Sequence, residues 1–222
     1  QLVGHGEMTM DIKMIPVKAK TLTPFAYHSL MVQSGTATLP ELIGDRAVAF
    51  GLAHALGMAA ARVALPQEDY RGHLAAMPFR SSVFTTADPE LLAPLTRRLN
   101  LDAEAGYQKK VQDVAKKGNL KEYFLIQEVP PEKAFYGAIF GFEGFDPFAY
   151  LQTDTIVTRV GLHRSGMLAL TPEAKKYPVR LNAATAWLFG RQLAVERYCL
   201  HHLQLTFAYQ PEDAATEAGT WK

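Results

Sequence analysis

Apolar and polar side chains alternate over residues 8–20. Met8, Met10, Ile12 and Met14 fall on one side, with Thr9, Asp11 and Lys13 on the other. This period of two predicts a half-buried strand, in which Pro16 marks an edge, a bulge or the end of the first run. Residues 21–40 are turn-rich. After Gly44 the period becomes helical: Val48, Leu52, Ala55 and Leu56 share one side, Asp45 is a suitable N-cap, and Gly57 a stop. The low polar content of this helix predicts that it lies flat on a sheet, with His54 a hydrogen-bonded core or boundary histidine. Residues 64–87 carry no strong period apart from a candidate strand over 80–85. Asp88 and Pro89 then open a short predicted helix that Pro94 kinks or breaks.

Residues 102–122 are the most polar internal segment. Lys109, Lys110, Lys116, Lys117 and Lys121 cluster there with Tyr107, either as a basic loop that orders on a polyanion or as a solvated surface element. Two runs rich in β-branched and aromatic residues follow, 121–129 and 134–142, joined by a turn containing Pro130 and Pro131. Further strands are predicted over 155–160, 167–170 and 179–181. A short helix capped by Asn182 follows, and then a final strand over 198–209 with Leu203, Leu205 and Phe207 on one face. In that strand the adjacent His201 and His202 point to opposite faces, which is unsuitable for joint chelation. Residues 211–222 are acidic and rich in small side chains, and are expected to form a disordered tail. There is no internal repeat and no interdomain linker, so the expectation is one domain over 1–210 with 102–122 as an insertion.

Composition changes this picture little. The 222 residues are 48% hydrophobic and 20% charged, and 23 basic against 22 acidic side chains give a net charge of +1. Such a balance neither requires nor excludes a nucleic-acid partner, since a local patch matters more than the total. Cys199 is the single cysteine, so no internal disulfide can form and a reducing compartment is expected. No apolar run reaches the roughly 20 residues that cross a bilayer, and residues 1–7 lack the features of a signal peptide. A soluble cytoplasmic protein, without a membrane partner, is expected.

The stretch richest in candidate chemistry is 155–170, two β-rich runs joined by a turn bounded by Gly161 and Gly166. The glycines permit backbone angles and close approaches that a Cβ would obstruct. Arg159, His163, Arg164 and Ser165 supply forked donors and a hydroxyl of the kind that grip phosphate oxygens. The alternative is an ordinary turn with solvated arginines. Phosphate loops of the forms GxGxxG and GxxxxGK[ST], the zinc motif HExxH and the GxSxG elbow are missing from the sequence. Neither cofactor nor metal is therefore expected. An acid–base set could still be assembled in space from Tyr27, His28, His163 and Lys13.

The order of strand, helix, basic segment, aromatic strands, glycine-bracketed hairpin, short helix and final strand resembles the RAMP proteins of CRISPR systems. The nearest likeness is to the family-five Cas subunit of class 1 effector complexes, in its type I-D form. It is carried by Thr23-Pro-Phe-Ala-Tyr-His28, by the helical stretch from Asp45 to Gly57, and by Thr158-Arg-Val-Gly-Leu-His-Arg-Ser-Gly166. His163 departs from the family-like pattern, which has lysine there, and the net charge is lower than an RNA binder of this kind would suggest. The resemblance implies an α+β fold: a ferredoxin-like, RRM-type antiparallel sheet with packed helices and an extended basic thumb.

It also implies a non-catalytic subunit that binds the 5′ handle of the guide RNA (crRNA), caps the filament of backbone subunits, and supports the large subunit where target DNA is read near the protospacer-adjacent motif. On this match Arg159, Gly161, Arg164 and Ser165 contact RNA or shape the hairpin, with His163 between them. Tyr27, Phe25 and Tyr107 are candidate stackers, and Lys109, Lys110, Lys116 and Lys117 form the thumb's basic cluster. Two other readings stay open. One is a RAMP-type endoribonuclease processing precursor crRNA through His28 or His163; the other is an unrelated soluble α+β enzyme or interaction protein.

Overall fold

The computed structural model describes residues 11–26, 29–32, 35–58, 69–98, 123–161 and 166–222. The alternating run becomes strand β1 (Ile12–Thr21), the spine of the principal sheet. On one side it pairs antiparallel with β9 (Ala134–Phe142), and on the other with β11 (Gly166–Pro172), which β10 (Ile156–Val160) flanks in turn. Beyond β9 lie β5 (Phe79–Ser81), β6 (Phe84–Thr85) and β4 (Leu42–Ile43), which complete seven strands. A four-stranded sheet joins β2 (Ser29–Val32), β3 (Gly35–Thr38), β8 (Tyr123–Gln127) and β7 (Leu95–Arg98), with β3 and β8 parallel. A three-stranded sheet orders β12 (Val179–Asn182), β14 (Leu203–Tyr209) and β13 (Val195–Leu200). The helices are α1 (Asp45–Ala55), α2 (Tyr70–Ala76), α3 (Pro147–Leu151), α4 (Ala183–Leu188) and α5 (Pro211–Ala218). This is a mixed α/β architecture with mostly antiparallel strands, as expected of an α+β chain.

Pro16 is neither at an edge nor in a bulge. It lies inside β1, opposite Ala138 of β9, and its carbonyl accepts from Glu173 N at 2.8 Å. A strand residue's N and O point to the same side, so the missing N–H faces β11, where pairing ends at Val17 and Pro172. Proline thus terminates one ladder and leaves the other intact. The alternation in β1 also serves two cores. Ile15, Val17 and Ala19 are buried in the core that contains Val48 and Leu52 of α1, whereas Ile12 and Met14 pack on a second cluster around Phe140, Ala214 and Trp221.

Helix α1 sits where the period placed it, with Val48, Leu52 and Leu56 buried. Two details differ from expectation. The N-cap is Gly44, and Asp45 is instead the first helical residue, its buried carboxylate accepting from Asn182 Nδ2 at 2.7 Å. Burial pushes the Asp45 pKa up, against the hydrogen bonds from Thr185 and Asn182 that stabilise the carboxylate. His54 is exposed rather than core, because it lies about 200° around the helix from the inward Leu52.

Several predicted elements are corrected. The short helix after Asp88 does not form: the segment is irregular and then becomes β7. Leu92 N donates to Glu128 O at 2.8 Å, and Lys133 pairs with both Asp88 and Glu90, so the chain is held extended beside its neighbours. Helix α2 arises where no period was evident, capped by Asp69, which accepts from Gly72 N at 2.8 Å.

The single final strand is a hairpin, and His201 and His202 form its turn between β13 and β14. Neither residue is a usual hairpin-turn type, so no local signal marked it. Phe207 does not join Leu203 and Leu205 inside. Arg180 pairs with Ala208 and Asn182 with Leu205, so β14 carries an extra residue there and the bulge turns Phe207 out.

The tail is ordered. In α5, Pro211 occupies the first turn with Glu212 and Asp213, and Ala214, Ala215 and Ala218 are buried with Trp221. Proline and acids suit a helix N-terminus, and alanine both favours the helix and lets it pack closely. The polar composition that suggested disorder is the outer face of a packed helix. The 102–122 segment lies outside the described residues.

Candidate nucleic-acid interface

Strand periodicity sets two faces on the principal sheet. The face bearing Ile15, Val17, Phe135, Leu168 and Ile156 is buried in the core that includes α1. On the opposite face, Ile12, Met14, Ala138 and Phe140 pack with α5 and Trp221. Among the described residues, that cover extends over one end. Past Pro16 the same face presents Lys18 and Lys20 from β1, Tyr136 from β9, and Met167, Ala169 and Thr171 from β11, all half-exposed. Val157 and Arg159 of β10 are exposed, Val157 to 46%.

Register places these side chains as neighbours. Lys18 lies between Tyr136 and Thr171, Lys20 between Ala134 and Ala169, Val157 beside Ala169, and Arg159 beside Met167. From the strand of Tyr136 to that of Arg159 is about 14 Å at the usual strand spacing. The chain leaving β11 brings Tyr177 onto Tyr136, their ring centroids 4.7 Å apart and tilted by 43°. Lys175 Nζ lies 5.0 Å from the centre of the Tyr177 ring. Lys20 pairs with Glu132 at 2.5 Å yet keeps a side-chain exposure of 42%, while Lys18, Lys175 and Arg159 form no ion pair among the described residues. Cations flanking an aromatic pair on an uncovered sheet can bind phosphates and stack bases together.

Gly161 and Gly166 close the β10–β11 pair at the edge of this surface, and both glycines are sterically required. Gly161 has φ +87°, and a Cβ there would lie 2.9 Å from Ala26 O. At Gly166 a Cβ would fall 2.4 Å from Phe25 Cβ and 2.8 Å from Val160 O. Phe25 is therefore the floor of the hairpin. It is fully buried and bridged to Val129 through both backbone groups, which corrects its assignment as a base-stacking residue. Met167 N donates to Thr23 Oγ1 at 2.9 Å, and Leu22 N donates to Met167 O at 2.8 Å, stitching the 21–26 segment to the start of β11.

Helix α1 fixes β10 from behind. A Cβ on Gly51 would come within 2.6 Å of Thr158 Oγ1 and 2.8 Å of Arg159 O, so the helix backbone rides directly on the strand. Thr158 Oγ1 is buried without a hydrogen-bond partner, the one such side-chain atom found among the described residues. Close packing there holds the backbone of Arg159 while its side chain stays in solvent.

Of the residues singled out from the sequence for binding, Arg159 is the one placed on this surface. Tyr27, His28, Tyr107, Lys109, Lys110, Lys116, Lys117, His163, Arg164 and Ser165 lie outside the described residues. Lys13, considered for an acid–base set, pairs with Asp146 at 2.8 Å. Asp146 also accepts from Phe148 N and Ala149 N as the cap of α3, which identifies Lys13 as part of a structural ion pair.

Lys18, Lys20, Tyr136, Lys175 and Tyr177 were missed. Lys18 and Lys20 are legible, since they alternate with Val17 and Ala19, but Lys175 and Tyr177 reach the sheet from a segment without periodicity. Among the described residues no three His, Cys, Asp or Glu side chains gather as a metal site. No helix among them is long and apolar enough to cross a membrane. Neither the protein-family models nor the curated protein sequences compared with the chain yield a match.

Proposed function

We propose that this chain binds single-stranded RNA on the open end of its principal sheet, as a non-catalytic guide-RNA-binding subunit of a class 1 CRISPR surveillance complex. The observation that carries the reading is the shared surface of Lys18, Lys20, Arg159, Tyr136 and Tyr177 beside Gly161 and Gly166. Single-stranded RNA offers what that surface can use, a line of phosphates and unstacked base faces. The resemblance supplies the finer identity: a type I-D-like family-five subunit that holds the crRNA 5′ handle, caps the backbone filament, and meets the large subunit near the protospacer-adjacent motif.

The ferredoxin-like, RRM-type reading rests on the layer arrangement, with α1 on one face of the sheet and, beyond the end that α5 covers, cations and aromatics on the other. It does not extend to strand direction. β1 is antiparallel to both neighbours, whereas a split βαβ unit sets a parallel pair at the centre.

The test is binding of the purified chain, alone and with co-expressed neighbouring gene products, to a labelled CRISPR repeat across a salt series. Replacing Lys18, Lys20 and Arg159 by alanine should reduce the log–log salt slope by about 2, from roughly 0.7 per phosphate contact on a single strand. Tyr136→Ala should weaken binding by about 1–3 kcal/mol with little change in that slope. Binding unmoved by both variants overturns the sheet-face assignment. Cleavage of the repeat that is lost with His28→Ala or His163→Ala would replace the binding reading with the nuclease.

A further inference from the structure

A second recess lies away from the principal sheet, between α4, the chain that follows it, and the β13–β14 turn. Its volume is about 500 Å³, and its walls include Trp187, Leu193 and Val195 with Arg46, Arg191 and His201. Trp187 is 62% exposed, although most tryptophans bury their area. No aspartate or glutamate lines the recess among the described residues.

Both arginines are already oriented. Arg46 donates from Nε to Thr185 Oγ1 at 2.9 Å and from Nη2 to Ala184 O at 3.0 Å. Arg191 holds Glu217 through Nε and Nη2 at 2.9 and 2.8 Å. In each case Nη1 lies outside these bonds. Alongside runs β13, the outer strand of its sheet, whose Glu196 and Arg197 pair with Arg180 and Glu41. Charged side chains normally protect such an edge. Here they pair within the chain while staying exposed, and Val195 and Tyr198 beside them are exposed to 41% and 63%.

The geometry points to this recess as a docking groove for an extended, acidic and hydrophobic segment of another protein. An apolar side chain of the partner packs against Trp187, and a neighbouring carboxylate meets the arginine rim of Arg46 and Arg191 beside His201. A nucleic acid fits less well: it brings a phosphate at every residue, whereas the groove offers a mostly apolar wall and few uncommitted donors. Tryptophan and arginine are among the residue types enriched at the hot spots of protein interfaces.

The test uses the full chain and a short fluorescein-labelled peptide in which leucine and phenylalanine alternate with aspartate. A counterpart with lysine in place of aspartate and a single-stranded oligouridine serve as comparisons. Binding of the acidic peptide is expected, weakened about tenfold by Trp187→Ala, a loss typical of an interface anchor. His201→Glu should weaken it independently, and both positions are exposed enough to be changed without unfolding the chain. Equal binding of the lysine peptide, displacement by oligouridine, or indifference to both variants would overturn the proposal. Trp187→Ala should leave repeat-RNA binding unchanged, which separates failure here from failure of the sheet-face assignment.

Discussion

Arg80 is the most consequential single side chain in the second core, and its replacement by methionine tests how that core holds together. Among the described residues the buried guanidinium meets no carboxylate and donates to backbone carbonyls. Nε and Nη2 reach Trp221 O at 3.0 and 2.6 Å, and Nη1 reaches Leu74, Met77 and Phe79 O at 2.7, 3.1 and 2.8 Å. The rings of Phe142 and Phe189 enclose it, with centroids 4.7 and 4.9 Å away. Burial lowers its pKa to about 10, which leaves it charged at neutral pH.

Two effects oppose each other in Arg80→Met. Removing a buried charge recovers several kcal/mol of desolvation, but each carbonyl left without a donor costs about 1–3 kcal/mol. Leu74 O keeps Met77 N as a donor, but the carbonyls of Trp221, Met77 and Phe79 cannot be replaced along with the arginine, so these orphaned acceptors prevail. Set against that recovered desolvation, three orphaned carbonyls leave an expected net loss of about 1–5 kcal/mol, which lowers Tm by roughly 2–20 °C in a chain of this size. Urea unfolding of Arg80→Met, Trp221→Ala and the double variant measures it. Because both residues share Phe189 as a neighbour, their costs should add to less than their sum. A loss below about 1 kcal/mol, or strict additivity, would refute the account.

The remaining predictions concern the hairpin and the acid limb. Gly166→Ala should cost about 1–3 kcal/mol in a chemical melt, because Phe25 and the Val160 carbonyl block the new methyl; wild-type stability would show that the hairpin does not rest on Phe25. For pH, Arg191 holds the Glu217 carboxyl below its ordinary value through their paired hydrogen bonds, against the effect of partial burial. A depressed carboxyl contributes stability that is present above its unfolded value and lost as pH falls through its folded one. The stability difference between wild type and Glu217→Gln should therefore be largest near neutrality and shrink through the acid range, as thermal melts at stepped pH would record. A difference constant with pH would assign Glu217 a packing role alone.

The local code carried much of the architecture. Alternation identified β1, the aromatic run gave β9, and Asn182 caps α4, its side chain accepting from Ala184 N at 3.1 Å. The spacing of Gly161 and Gly166 marked a hairpin whose steric reasons the coordinates supply. Period-two patterning also placed Lys18 and Lys20 together on one face, because side-chain direction in a strand is a property of the strand itself.

What covers each face is not local, and only tertiary structure decided it. Trp221 and α5, which composition alone suggested would be disordered, cover one end of the sheet, and among the described residues the lysine end lies beyond that cover. Tyr177 meets Tyr136 from a segment with no period, and Phe25 lies beneath glycines more than a hundred residues away in the chain. The bulge that exposes Phe207 and the turn at His201 and His202 follow from pairing between strands. Periodicity states which residues share a side. Burial depends on what packs there, and that is settled between segments distant in sequence.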